Sequence, residues 1–166
     1  MRPFDSDCWL LELDSQGIIM QTLYIMQGPP GGGKSTLAQA ISNSVSSAIC
    51  STDDFFHTTD GYKFDPAKLN EYHGRNLSHA IKALRLGHSA IIDNTNIHAW
   101  QARSYVEYAV ANKIPVVFIR VDGRFKSNHG VPQELVDKMR ASMENLTVES
   151  CLTAVRPEQV ATQADC

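Results

Sequence analysis

The 166-residue sequence predicts an α/β domain in three layers: a mostly parallel sheet of four to five strands with helices on both faces. Two observations carry this. Short apolar and β-branched runs alternate with longer segments whose apolar residues recur at helical spacing, and such alternation pairs strands in parallel through crossover helices. The first of those runs also enters a glycine-rich turn that opens directly onto a helix.

The elements follow in order. Residues 21–27 (QTLYIMQ) read as a buried strand and 34–46 (KSTLAQAISNSVS) as the helix after the turn. Residues 48–51 (AICS) read as a second strand that ends in Thr52, Asp53 and Asp54, and 57–64 (HTTDGYKF) are turn-like. Asp65 and Pro66 supply an N-cap and an N1 proline. Leu69, Tyr72, Leu77, Ala80, Ile81 and Leu84 then mark one helical face, closed by Gly87. Residues 89–92 are a third strand, followed by Asp93, Asn94, Thr95 and Asn96, then by a helix carrying Ala99, Ala102, Val106, Ala109 and Val110. Residues 115–121 (PVVFIRV) are a fourth strand, leading into a basic, glycine-bearing loop at 122–131. Pro132 opens a helix with Leu135, Val136, Met139, Met143 and Leu146 on one face, and 151–155 read as a short strand. Residues 1–20 are expected to be an N-terminal extension, 21–150 the domain and 151–166 a tail.

The turn, residues 28–35 (GPPGGGKS), fits the phosphate-binding pattern G-x-x-x-x-G-K-S between a strand and a helix. Gly28, Gly31, Gly32 and Gly33 let the backbone curl so that successive N–H groups face phosphate oxygens, and the helix N-terminus adds partial positive charge. Lys34 is expected at the β- and γ-phosphates, Ser35 on Mg²⁺ and Thr36 beside them. The reading is a triphosphate site for ATP and Mg²⁺.

Composition narrows the rest. Apolar residues make up 43% and charged residues 20%, ordinary for a globular protein. No apolar run reaches the roughly 20 residues of a membrane span, and the first residues lack the pattern of a secretory signal. The four cysteines have no C-x-x-C spacing, which fits reduced thiols and a cytoplasmic setting. The six histidines lack zinc-site spacing. A net charge of −3 argues against a long nucleic-acid footprint, so any such contact is short and local. A homo-oligomer is compatible with all of this.

In parallel sheets ligands bind at the carboxyl ends of the strands, where the polar clusters after strands two, three and four fall. Phosphoryl transfer needs a carboxylate to take the acceptor's proton, cations for the transferring group and a cover against water. Asp53 is the candidate base, in a strand expected to lie beside the phosphate loop. Asp93 is the candidate for the Mg²⁺ water shell, and Arg124 and Lys126 are the candidate lid cations. The plain alternatives are capping aspartates and a solvated basic loop.

Residues 28–36 (GPPGGGKST), 51–55 (STDDF), 91–96 (IIDNTN) and 128–132 (NHGVP), in this order, resemble the 5′-hydroxyl polynucleotide kinase family over residues 21–146. The resemblance implies a P-loop kinase sandwich with a lid, and transfer of the ATP γ-phosphate to the 5′-hydroxyl end of DNA or RNA. It also implies Asp53 as general base, Asp93 as an organiser of the site, and phosphate-contacting cations before Pro132. Two departures stand out: Phe56 lies where the family carries an acceptor-contacting arginine, and Lys126 aligns with its lid arginine. Phe56 could stack on a terminal base or form a wall. A small-metabolite or nucleoside kinase, and a nucleotide-binding module without transfer, are the competing readings.

Overall fold

The computed structural model describes residues 21–125 and 130–157. The expected N-terminal extension, Lys126 and the end of the tail lie outside those residues.

The chain runs β1 (Leu23–Gln27), α1 (Lys34–Ser44), β2 (Ser47–Cys50), a 3₁₀ turn (Asp53–Phe56), β3 (His57–Thr58), β4 (Gly61–Tyr62), a second 3₁₀ turn (Pro66–Lys68), α2 (Leu69–Arg85), β5 (Ser89–Ile92), α3 (Ala99–Ala111), β6 (Val116–Arg120), α4 (Gln133–Ala141) and α5 (Val148–Thr153). The sheet has four parallel strands in the order β2-β5-β1-β6. β3 and β4 form a separate antiparallel hairpin in the segment read as turn-like.

Alternate residues of each strand feed two cores, which is the three-layer arrangement the sequence predicts. Leu23 and Ile25 of β1 and Ala90 and Ile92 of β5 pack with Ala80 and Leu84 of α2, and with Ala102, Val106 and Ala109 of α3. Met26 and Ile91 point the other way, toward Ala38 and Ile41 of α1. Both faces of β1 are covered, so its sequence is nearly continuously apolar.

Asp65 caps the turn into α2 by accepting from the Ala67 N–H at 3.0 Å, as its place before Pro66 predicts. Gly87 closes that helix at φ 84°, with the His88 N–H donating back to the Ala83 carbonyl at 3.1 Å.

Three expectations need correction. β2 does not lie beside β1, because β5 pairs with both and sits between them. The tail forms a helix where a strand was expected. Thr147 and Ser150 make a reciprocal capping box, and Cys151 is fully buried in the core that α3 lines. The helix after Pro132 ends at Ala141, leaving Met143 and Leu146 beyond it. That early end lets Glu144 turn back to α3, where its carboxylate accepts from the Ala99 N–H at 2.7 Å and pairs with His98 at 3.0 Å.

Candidate active site

The phosphate loop is held from three sides. The Gly28 N–H donates to the Thr95 carbonyl at 2.9 Å, and a Cβ built on Gly28 would stand 2.2 Å from the Val121 carbonyl oxygen. Only glycine permits that approach. Gly33 caps α1 at φ 93°, a left-handed conformation that turns the chain into the helix. On the outer side, the Gly123 and Phe125 N–H groups donate to the Gly32 and Gly31 carbonyls at 3.1 and 3.0 Å. The segment after β6 therefore clips onto the loop. Arg140 of α4 secures the clip, donating to the Gly123 carbonyl at 2.9 Å and pairing with Asp122.

Lys34 is buried, and its ammonium donates to the Pro29 carbonyl at 3.0 Å. Burial holds its pKa below the usual lysine value, opposed by the charges of Asp93 and then Asp53. Both acids thus lie within electrostatic reach of Lys34. β2 is one strand further out than expected, and the charge of Asp53 at its end is felt at Lys34. Ser35 and Thr36 are exposed in the first turn of α1, beside Lys34.

The segment after β5 acts as a brace. The Asn94 side chain accepts from the Thr52 N–H at 3.0 Å, fixing the residue before Asp53. Asn96, buried with φ 43°, donates to the Met26 carbonyl at 2.7 Å. Asn tolerates this left-handed geometry better than most residues. Below, Asn76 donates to the Cys50 carbonyl at 3.2 Å and to the Tyr105 hydroxyl at 3.1 Å, steadying the end of β2.

Asp93 Oδ1 is buried and lacks a hydrogen-bond partner among the described residues. A buried carboxylate oxygen of that kind is costly unless a cation or its water shell meets it. Lys34, in electrostatic reach of Asp93, directly precedes Ser35 on α1, and this pair of oxygen donors fits Mg²⁺. No group of three or more His, Cys, Asp or Glu could hold a metal among the described residues.

Asp53 opens its 3₁₀ turn half-buried, and its charge reaches the Tyr62 phenol of β4. Burial, then the Asp53 charge, push the Tyr62 pKa up. The Asp54 carboxyl is also raised, by partial desolvation first, with His57 opposing and Asp93 and Asp53 adding to it. His73 of α2 meets the Thr52 hydroxyl at 3.1 Å. Burial and then Arg156 lower its pKa, while Asp53 raises it.

Phe56 is 2% exposed, wedged among Phe64, Tyr72 and Tyr62 with ring centroids 4.8 to 6.2 Å away. It is a wall and does not reach solvent to stack on a base. Arg124 is exposed on the clip beside the loop. It lines a cleft of about 270 Å³ with Pro30, Phe125, Val136 and Arg140. The sequence reading missed Tyr62 and His73: one lay in the segment read as a turn, the other on a helix face assigned by its apolar residues.

Strand, phosphate loop and helix, with the loop lysine in electrostatic reach of acids at two neighbouring strand ends, make a P-loop kinase-like fold, which implies ATP binding. A family model described as an AAA domain matches residues 23–146, and the chain belongs to that family. Human NEDD4-binding protein 2 is 33% identical over 150 residues, covering 83% of this chain and 8% of that protein. The chain thus corresponds to a small part of that relative. A chain of the Pnkp1/Rnl/Hen1 RNA repair complex matches at TM-score 0.53 and 21% identity, over 89% of this chain and 46% of that one. That likeness is one of fold. The APS kinase CysC of Mycobacterium tuberculosis is similar at TM-score 0.49 and 15% identity, over 76% of this chain and 99% of that one.

Proposed function

We propose that this domain transfers the γ-phosphate of ATP to the 5′-hydroxyl end of a DNA or RNA strand, with Asp53 as general base. The observation that supports it most is the meeting of Lys34, Asp93 and Asp53 in one electrostatic cluster at the carboxyl ends of β1, β5 and β2. A nucleotide holder needs the lysine; the carboxylate from β2, braced through Asn94 and Thr52, is what an acceptor hydroxyl needs.

In this reading the N–H groups of Gly31 and Gly33 and the α1 N-terminus hold the donor phosphates, the Gly32 N–H being engaged by the Pro29 carbonyl at 3.0 Å, and Lys34 meets the β- and γ-oxygens. Mg²⁺, held by Ser35 with Asp93 at its water shell, would neutralise charge building on those oxygens. Asp53 takes the proton of the 5′-hydroxyl as that oxygen bonds to the γ-phosphorus and the bond to the ADP oxygen breaks. Arg124, with Lys126 beyond the described residues, supplies lid charge.

Buried Phe56 and the net charge of −3 favour a second reading, a small-metabolite or nucleoside kinase. One experiment separates the two. The protein is incubated with γ-labelled ATP, Mg²⁺ and, in turn, an oligonucleotide with a 5′-hydroxyl, its 5′-phosphorylated twin and a free nucleoside. Label on the 5′-hydroxyl oligonucleotide alone is the expected result. Label on the nucleoside alone would overturn the polynucleotide acceptor and leave the transfer chemistry standing.

A further inference from the structure

Thr52 departs from a local rule. A threonine at the head of a helical turn ordinarily sets its hydroxyl on the turn's own N–H groups. Thr52 heads the 3₁₀ turn Asp53–Phe56, and its side chain makes no such cap. The hydroxyl meets Nδ1 of His73 in α2 instead, at 3.1 Å and 21 residues further along the chain.

The direction of that bond follows from burial. Thr52 is 4% exposed, and His73 Nδ1 is the one partner of its hydroxyl among the described residues. A buried hydroxyl that only accepted would leave its proton unpaired, so the hydroxyl donates and Nδ1 accepts. The imidazole is then neutral, with its proton on Nε2.

This bond completes a grip on the end of β2. Asn76, one turn after His73 on α2, donates to the Cys50 carbonyl at 3.2 Å. From the β5 side, the Asp93 N–H donates to the same carbonyl at 3.0 Å, and the Asn94 side chain accepts from the Thr52 N–H at 3.0 Å. Backbone and side chain of Thr52 are both tied, and the next residue is Asp53.

We propose that His73 is a positioning residue for Asp53: by taking the Thr52 O–H it fixes the start of the 3₁₀ turn, and with it the place from which the carboxylate reaches the acceptor hydroxyl. The inference rests on Asp53 being the general base. Without an acceptor on α2, the hydroxyl turns to the local N–H groups and the turn that carries Asp53 shifts around it. Misplacing a reacting group by about 1 Å can cost on the order of 10²-fold in rate. His73 acts through Thr52 and touches no reacting atom.

The test uses the full chain with γ-labelled ATP and whichever acceptor takes label, oligonucleotide or nucleoside, below the melting range of every variant. His73→Phe keeps a ring and removes the acceptor nitrogen. Its kcat is expected to fall roughly 10-fold, a partial misplacement, with KM for ATP unchanged. His73→Asn, whose amide oxygen hangs from Cγ as Nδ1 does, is expected to restore most of the rate. Thr52→Val, alike in shape but without the hydroxyl, is expected to match His73→Phe, and combining the two costs nothing further because both remove one bond.

The double variant also separates aim from stability. His73→Phe strands a buried O–H and is expected to melt lower than wild type, whereas Thr52→Val with His73→Phe strands nothing and regains melting temperature. Turnover that stays low there supports positioning; turnover that recovers with the melting temperature overturns it. Wild-type kcat in His73→Phe, with Asp53→Asn impaired, overturns this proposal and spares the base assignment. Wild-type turnover in Asp53→Asn, or label on neither acceptor, overturns both.

A second readout needs no turnover. Long-range ¹H–¹⁵N spectra of the histidine rings show which nitrogen holds the proton, and loss of a signal in His73→Asn assigns His73. Above the usual histidine value of 6.5, wild type is expected to hold the Nε2–H form alone, and Thr52→Val to admit the other. An Nδ1–H ring in wild type, or a tautomer balance that Thr52→Val leaves unchanged, overturns the contact and the proposal with it.

Discussion

At the scale of single residues, Lys34 shows function set against stability. Its pKa is lowered because desolvation outweighs the attraction of Asp93 and Asp53, so the folded state holds this proton less tightly than the unfolded chain does. The sign follows: the burial penalty is present below the folded-state pKa and is relieved as pH rises from there toward the usual 10.5. Lys34→Met, similar in length and uncharged, is expected to melt higher than wild type near neutral pH without nucleotide. The gap narrows as pH climbs, and phosphoryl transfer is lost. Thermal melts across pH, paired with the transfer assay, check this, and a variant that melts lower than wild type near neutral pH contradicts it. Phe56 teaches the complementary lesson. Read along the chain it is an aromatic beside a candidate base, and three-dimensional packing makes it the centre of a ring cluster that anchors the hairpin.

Among the elements, legibility tracked how local the signal was. The phosphate loop was readable because its glycines, its lysine and the helix they open lie within nine residues of sequence. The capping of α2 by Asp65 and its closing at Gly87 were readable for the same reason. Strand order was not: β2 follows α1 in sequence, yet β5 takes the place beside β1, a choice that belongs to tertiary packing. Residues 151–155 were mistaken for a strand because they include the β-branched Thr153 and Val155. The signal that could have found α5 is Thr147 followed three residues later by Ser150.

The early stop of α4 has a measurable consequence. Glu144 caps α3 from outside, and the Ala99 N–H, aided by His98, holds its carboxyl below the usual 4.5. A carboxylate with a depressed folded-state pKa stabilises above its unfolded value and stops doing so as pH falls through the folded one. Glu144→Ala is expected to cost about 1 kcal/mol at neutral pH, within the range for losing a helix N-cap and moderated by the half-exposed side chain. For a chain of this size that is roughly 2–4 °C in Tm. The difference should close in acid below the folded pKa, where the wild-type carboxyl is protonated too. A difference that persists there assigns the effect to packing.

Across the whole molecule, the sheet delivers the chemistry. β1, β5 and β2 end side by side, bringing the lysine, the orphaned acid and the candidate base to one edge, while α4 and the segment after β6 close the outer side of the loop. No helix among the described residues is long and apolar enough to cross a membrane, and Cys50 and Cys151 are buried free thiols. Burial pushes the Cys50 thiol up to about 11, so it is inert at neutral pH.

The most direct measurement of the central claim compares Asp53→Asn with wild type in two assays, Mg²⁺-ATP binding and label transfer to a 5′-hydroxyl oligonucleotide. The account predicts unchanged ATP affinity and turnover lower by about 10²-fold or more, as expected for a general base. Wild-type turnover in Asp53→Asn would contradict it and reduce the site to a nucleotide holder.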